Sequence, residues 1–142
     1  MTLFTEEAAM ARLTVLCLLA LLAFADRGNA QQKIIGTWRQ NTPNVGESDW
    51  KIGTRDDGTH FAREVGLGNA TGTATLKGNT LTIHWKSGDY SGFYEWELTG
   101  TTGKGRMCYT KYPAGETGGV EQEIDGKKVR AFDNSKVRFV GR

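Results

Sequence analysis

Residues 70–86 read Ala70-Thr71-Gly72-Thr73-Ala74-Thr75-Leu76, then Lys77-Gly78-Asn79, then Thr80-Leu81-Thr82-Ile83-His84-Trp85-Lys86. Apolar or small residues fill every second position on both sides of a glycine-bearing break. Ala70, Gly72, Ala74 and Leu76 precede it; Leu81, Ile83 and Trp85 follow it. Period two is the spacing of a strand with one buried face, and a Gly-Asn break between two such runs turns the chain back on itself. The stretch is an antiparallel hairpin with small side chains on one inner wall and bulky ones on the other.

The same alternation extends in both directions. Upstream, Ile34 to Gln40 sets Ile34, Gly36 and Trp38 on one face, and Trp50 to Thr54 does the same with Trp50 and Ile52. Asn41 to Glu47 is a loop marked by Pro43 and Gly46. Arg55-Asp56-Asp57-Gly58 is a hairpin turn, because Asp-Gly tolerates positive φ. Thr59 to Val65 then places Phe61 and Val65 inward and His60 outward. Downstream, Tyr90 to Thr99 groups Tyr94, Trp96 and Leu98, with Glu95 and Glu97 on the opposite, solvated side. Lys104 to Lys111 groups Met107 and Tyr109, with Arg106 and Cys108 opposite. Tyr112 to Gly126 has no pattern and reads as a long loop. Lys127 to Phe132 and Lys136 to Val140 close the chain as a hairpin across Asp133-Asn134-Ser135. No helical period follows residue 30. Tight turns force antiparallel neighbours, so the fold class is all-β: an up-and-down meander of about eight strands closing into a barrel, with a two-sheet sandwich as the alternative.

Ahead of the strands, Leu13 to Ala25 is almost wholly apolar. At about 13 residues it falls short of the roughly 20 needed to span a bilayer. With Arg12 as its positive flank and Gly28-Asn29-Ala30 as a small-residue cleavage site, it reads as a secretory signal peptide. Residues 1–30 are then a cleaved leader and residues 31–142 a single domain, secreted or periplasmic, with no stable membrane anchor. Glu6 and Glu7 suit a signal poorly, which points to Met10 as the start. Leu16, before Cys17, is too large for a lipid-attachment signal.

Without the leader, 16 basic residues face 13 acidic ones, interspersed. That balance gives no ground for a nucleic-acid partner. Lys127-Lys128-Val129-Arg130 reads as a solvated strand edge. Cys108 is then the sole cysteine, so no internal disulfide staples the domain, which fits a bacterial exported protein better than a eukaryotic one. Asn69-Ala70-Thr71 is a glycosylation sequon that counts only in a eukaryotic source.

Gly36-Thr37-Trp38 on the first strand resembles the Gly-x-Trp motif of lipocalins and avidins, the calycin-type barrels. The resemblance implies that Trp38 closes the barrel base and that a late basic residue, Arg138 or else Arg130, packs over its ring. Gly78 to Leu81 and Ser91 to Trp96 are similar to segments of small lipocalin-like bacterial secreted domains.

Catalysis finds no foothold. His60 and His84 sit opposite the apolar faces of their strands, no ligand spacing suits a metal, and Cys108 reads as a small buried filler. Gly66-Leu67-Gly68 precedes no helix and is no phosphate loop. The functional lead is aromatic. Trp50, Phe61, Trp85, Tyr94, Trp96 and Tyr109, with Trp38 below, face the small Ala70-Gly72-Ala74 wall. Two readings stand. The rings fill the barrel, each stabilising by about 1.5–3 kcal/mol, or they line a cavity, since an eight-stranded barrel can hold one small ligand. The expectation is a non-catalytic exported protein that binds a small apolar or aromatic ligand and needs no cofactor. The alternative is a protein-binding module or enzyme inhibitor acting on an exported partner through the 112–126 loop and the Gln31-Gln32-Lys33 arm. A lined void above roughly 300 Å³ favours the carrier; a filled core shifts weight to the loops.

Overall fold

Nine strands and no helix make up residues 33–142, the part of the chain that the computed structural model describes. The expected leader, with Met10, Cys17 and the cleavage site, and the Gln31-Gln32 part of the arm lie outside the described residues. The strands are β1 (Gly36–Thr42), β2 (Gly46–Thr54), β3 (His60–Val65), β4 (Thr71–Lys77), β5 (Thr80–Ser87), β6 (Tyr90–Thr99), β7 (Thr102–Lys111), β8 (Val120–Ile124) and β9 (Lys127–Gly141). All pair antiparallel. β1 to β7 follow one another in order, β9 pairs with β7, and β9 returns to β1, with Trp38 opposite Phe139 and Gln40 opposite Val137. That last pairing closes eight strands into a barrel and excludes the sandwich.

Turn chemistry explains the tight meander. Gly78, Gly88 and Gly100 each open a two-residue hairpin turn at φ 60°, 59° and 63°, the position that a type II′ turn reserves for glycine. These turns and the β2–β3 turn lie at the ends of the barrel. At one end Ile34, Ile52, Leu81 and Val137 are buried, with Phe139 half-buried against the same core.

Three expectations are corrected. Asp133-Asn134-Ser135 is not a turn: β9 runs unbroken for 15 residues. Asn134 at φ 60° makes a bulge there, opposite a register shift between Gly105 and Met107 on β7. The bulge carries the inward phase from Phe132 to Ser135 and Val137.

The 112–126 stretch is not all loop. Val120–Ile124 forms β8, which pairs only with the first half of β9. Its turn is Asp125-Gly126, both at positive φ (52° and 78°), a type I′ signature.

The third correction is the phase of β3. His60, Ala62 and Glu64 face inward, while Phe61 is 39% exposed and Val65 also lies outside. The register settles this: Ala62 lies opposite Ile52 and Glu64 opposite Trp50, so they share the inner face of β2. Phe61 instead lays its ring over Gly53, where an added Cβ would meet Phe61 Cζ at 2.5 Å. An outward glycine gives the ring a seat that needs no place in the core. His60 is correspondingly buried, with Nδ1 3.4 Å from Thr54 Oγ1.

Candidate functional site

Trp38 sits near the closed end, buried, its indole N–H donating to Ile34 O at 2.9 Å. The partner of its ring is Phe139, edge-on at 5.3 Å. Neither arginine fills that place. Arg138 is exposed on the outer face opposite Arg39, and Arg130 lies over Tyr112 at 5.2 Å near the other end. The physical reason is phase: in β9 the inward residues beside Trp38 are Val137 and Phe139, and Arg138 between them must point out.

Above the floor the core is aromatic and full. Trp50 and Trp96 are completely buried. Tyr94 stacks on Trp96 at 4.9 Å and meets Trp50 edge-on at 5.7 Å. At the open end, Trp85 meets Tyr109 edge-on at 5.5 Å and Tyr109 meets Phe132 at 5.9 Å. Gly92 makes room for this group. A Cβ there would strike Cys108 O and lie 2.6 Å from Trp85 Cζ2.

A pocket of about 160 Å³ remains at this mouth. Trp85, Tyr94, Tyr109, Met107 and Ala70 wall it, with Val45, Leu67, Ser87 and Tyr90 on the rim and Glu64 in its side. Of the aromatic residues picked from the sequence, Trp85, Tyr94 and Tyr109 line it, Trp50 and Trp96 lie beneath it, and Phe61 stands outside the barrel. A larger hollow of about 670 Å³ lies elsewhere, on the outer face, lined by Arg39, Lys104, Lys136 and Arg138 together with Glu47 and Glu97. Its two-signed, solvated lining makes it a surface trough rather than a site with convergent polar groups. Arg39 there is spent on Asp49, donating from Nε at 2.8 Å and Nη2 at 3.2 Å.

The feature that sequence reasoning missed is polar. A chain of buried hydrogen bonds crosses the core. Trp96 Nε1 donates to Ser135 Oγ (2.8 Å), Thr42 Oγ1 donates to Gln40 Oε1 (2.7 Å), Gln40 Nε2 donates to Ser48 Oγ (2.8 Å), and Ser48 Oγ donates to Glu64 Oε2 (3.0 Å). Ser135 and Thr42 hydroxyls lie 2.7 Å apart. Thr42 has one proton and gives it to Gln40, so Ser135 is the donor in that pair. Every donor from Trp96 onward therefore points the same way, and the chain ends on Glu64. Gly68 N–H donates to the other carboxylate oxygen at 3.0 Å. A group that only accepts, at both oxygens, is behaving as a carboxylate.

Glu64 is 6% exposed. Among the described residues no lysine, arginine or histidine forms an ion pair with it. Its charge is felt around the pocket. Burial pushes the Tyr94 phenol far above its ordinary range, and Glu64 adds to that push. Tyr109 is raised by burial first, then by Glu116, then by Glu64. Both phenols stay neutral donors at any ordinary pH. Trp85 Nε1, also buried, has no hydrogen-bond partner.

Cys108 faces away from the pocket. It is buried with Val129 and Ala131 on the outer side of the sheet, with Phe93 and Ile124 packed against them. No protein-family model, curated protein or solved structure matches this chain.

Proposed function

We propose that this is an exported, non-enzymatic binding protein of lipocalin-like build that holds a small ligand with an aromatic or apolar body in the mouth of its barrel. The observation that carries this reading is the ring-walled pocket of Trp85, Tyr94 and Tyr109. Its size falls short of the void set above as favouring a carrier, which gives weight to the loops and limits any ligand held here. About 160 Å³ is well under the roughly 300 Å³ at which drug-sized pockets begin, and close to the roughly 150 Å³ cavity that holds one benzene. The ligand, or the part of it that enters, is one ring in size. Export rests on the apolar leader of residues 13–25 with its small-residue cleavage site.

Titration with toluene, followed by tryptophan emission, tests this. The emission shifts saturably in the wild-type protein, and Trp85→Ala removes the response. No response to any single-ring probe sinks the carrier reading.

The small pocket favours a second reading as well: a module that meets a protein partner through its loops. Val65, Leu67 and Tyr90 each leave about two-fifths of their surface exposed on the loops and strand ends around the same mouth, an apolar rim that a partner could cover. In that case single-ring probes leave the emission unchanged, while Leu67→Asp with Tyr90→Asp abolishes capture of the partner and leaves the fold intact.

A further inference from the structure

We propose that the mouth pocket is selective for a small organic cation, a protonated amine on a body of about one ring, with its ammonium seated against Glu64. This rests on the carrier reading above and names its ligand class.

Four observations converge. First, Glu64 lines the pocket yet is 94% removed from solvent. A buried charge is normally paired, and the described residues offer this one no cation. Second, its hydrogen bonding is unfinished in a particular way. Two neutral donors, the Ser48 hydroxyl and the Gly68 amide, take one oxygen each. A carboxylate can accept about four bonds, so lone pairs remain for a donor that arrives from the pocket. Third, the rings of Trp85, Tyr94 and Tyr109 are among its walls, beside Met107 and Ala70. Ring faces attract ammonium groups, most strongly where water is excluded. Fourth, a second carboxylate stands near the pocket. Glu116 acts on Tyr109 from the 112–119 loop. Arg130, on β9 beside Tyr109, donates from Nη1 to Gly118 O at 2.9 Å and lies over the Tyr112 ring, while its buried Nε has no partner; it does not line the pocket.

The donor chain gives Glu64 its fixed position. Five side chains with committed protons, Trp96, Ser135, Thr42, Gln40 and Ser48, all orient toward it. The carboxylate thus meets an incoming ligand already oriented and largely removed from bulk solvent, the condition under which a charge pair discriminates between ligands.

Three probes of nearly equal size decide the matter: benzylamine, benzyl alcohol and benzoate, titrated into the purified protein at pH 7 by calorimetry and tryptophan emission. Benzylamine is expected to bind at least ten times more tightly than benzyl alcohol, with benzoate weakest. Glu64→Gln, which keeps the shape and an acceptor for Gly68, should bring benzylamine down to within about twofold of the alcohol. Benzyl alcohol binding as tightly as benzylamine to the wild-type protein overturns the cation assignment and leaves the carrier reading intact. Failure of all three to bind overturns both. A folded Glu64→Gln variant that keeps the tenfold preference overturns the role given to Glu64. Should that variant not fold, the wild-type series decides alone, with Tyr109→Leu as the second variant: it should weaken benzylamine more than benzyl alcohol, and equal losses count against the proposal.

Discussion

Ser135, on the last strand, and Trp96, on the sixth, are joined inside the barrel by a 2.8 Å hydrogen bond from the indole N–H to the hydroxyl. Ser135 in turn is Thr42's partner at 2.7 Å. One small side chain therefore satisfies two buried polar groups from two other strands. Ser135→Ala leaves the Trp96 indole N–H without its acceptor and takes one of two hydrogen bonds from Thr42, which keeps Gln40, in a fully buried site. A buried group stripped of its partner costs about 1–3 kcal/mol, and urea unfolding of the variant should show a loss at the upper end of that range. A loss below about 0.5 kcal/mol contradicts the chain as drawn.

Phe61 and Trp85 test the phase of the third strand. Both are large rings in strands, but Phe61 lies on the outer face over Gly53 and Trp85 in the mouth of the barrel. Trp85→Ala should cost about 3–5 kcal/mol, as truncation of a buried large ring does. Phe61→Ala should cost about 1 kcal/mol or less, as for an exposed position, and leave probe binding unchanged. Equal losses would place Phe61 in the core after all.

Two glycines separate crowding from backbone strain. At Gly92 an added methyl group meets the Cys108 carbonyl and the Trp85 ring; at Gly88 nothing lies within 4 Å, but φ is 59°. Gly88→Ala should cost about 1–2 kcal/mol for the left-handed conformation alone. Gly92→Ala forces strand backbone apart, so its cost should reach or exceed the roughly 3 kcal/mol upper end of ordinary overpacking, and it should distort the pocket. Thermal melts of the two variants give the order.

The Arg39–Asp49 pair makes a prediction in acid. Hydrogen bonding to Arg39 holds the Asp49 carboxyl below its ordinary value of 3.8, with partial burial working the other way. A carboxyl depressed in the folded state stabilises it fully above the unfolded value and loses that contribution as pH falls through the folded value. Asp49→Asn should therefore be less stable than wild type at pH 7. The gap should persist down to about pH 4 and close only in stronger acid. The pair is partly exposed, so raising the salt concentration should narrow the gap as well.

Cys108 should be silent in the native protein. It has no exposed surface, and burial raises its thiol above the ordinary range. A thiol reagent that needs the thiolate should label it only as fast as the protein opens, and at once in denaturant. Rapid labelling of the folded protein would count against the packing of Cys108 with Val129 and Ala131.

How much of this was legible depends on what alternates. β4, β5 and β6 carry unbroken apolar alternation from Ala70 to Leu98, and their inward faces follow from it directly. β3 does not: in His-Phe-Ala-Arg-Glu-Val either phase holds one polar group at least, and the choice is made by its register against Trp50 and Gly53 on another strand. β8 has almost no buried face and so no pattern; only its Asp125-Gly126 turn marks it. Asp133-Asn134-Ser135 carries turn residues, yet a bulge uses the same left-handed asparagine. In the site, Trp85, Tyr94 and Tyr109 could be found because rings in an inward phase announce themselves. Glu64 could not. Its burial depends on Ser48, Gln40, Thr42 and Ser135, four residues from three strands whose meeting no local pattern encodes.

β9 hands its outer edge from β1 to β8 partway along its length. The floor of the barrel is held by a complete ring of paired strands, whereas near the mouth β8 stands where β1 has already ended, tied along one side only. That five-residue ribbon rests on one row of backbone hydrogen bonds, where each strand of the floor has two. The rim is therefore the part of the sheet with the least backbone pairing to lose.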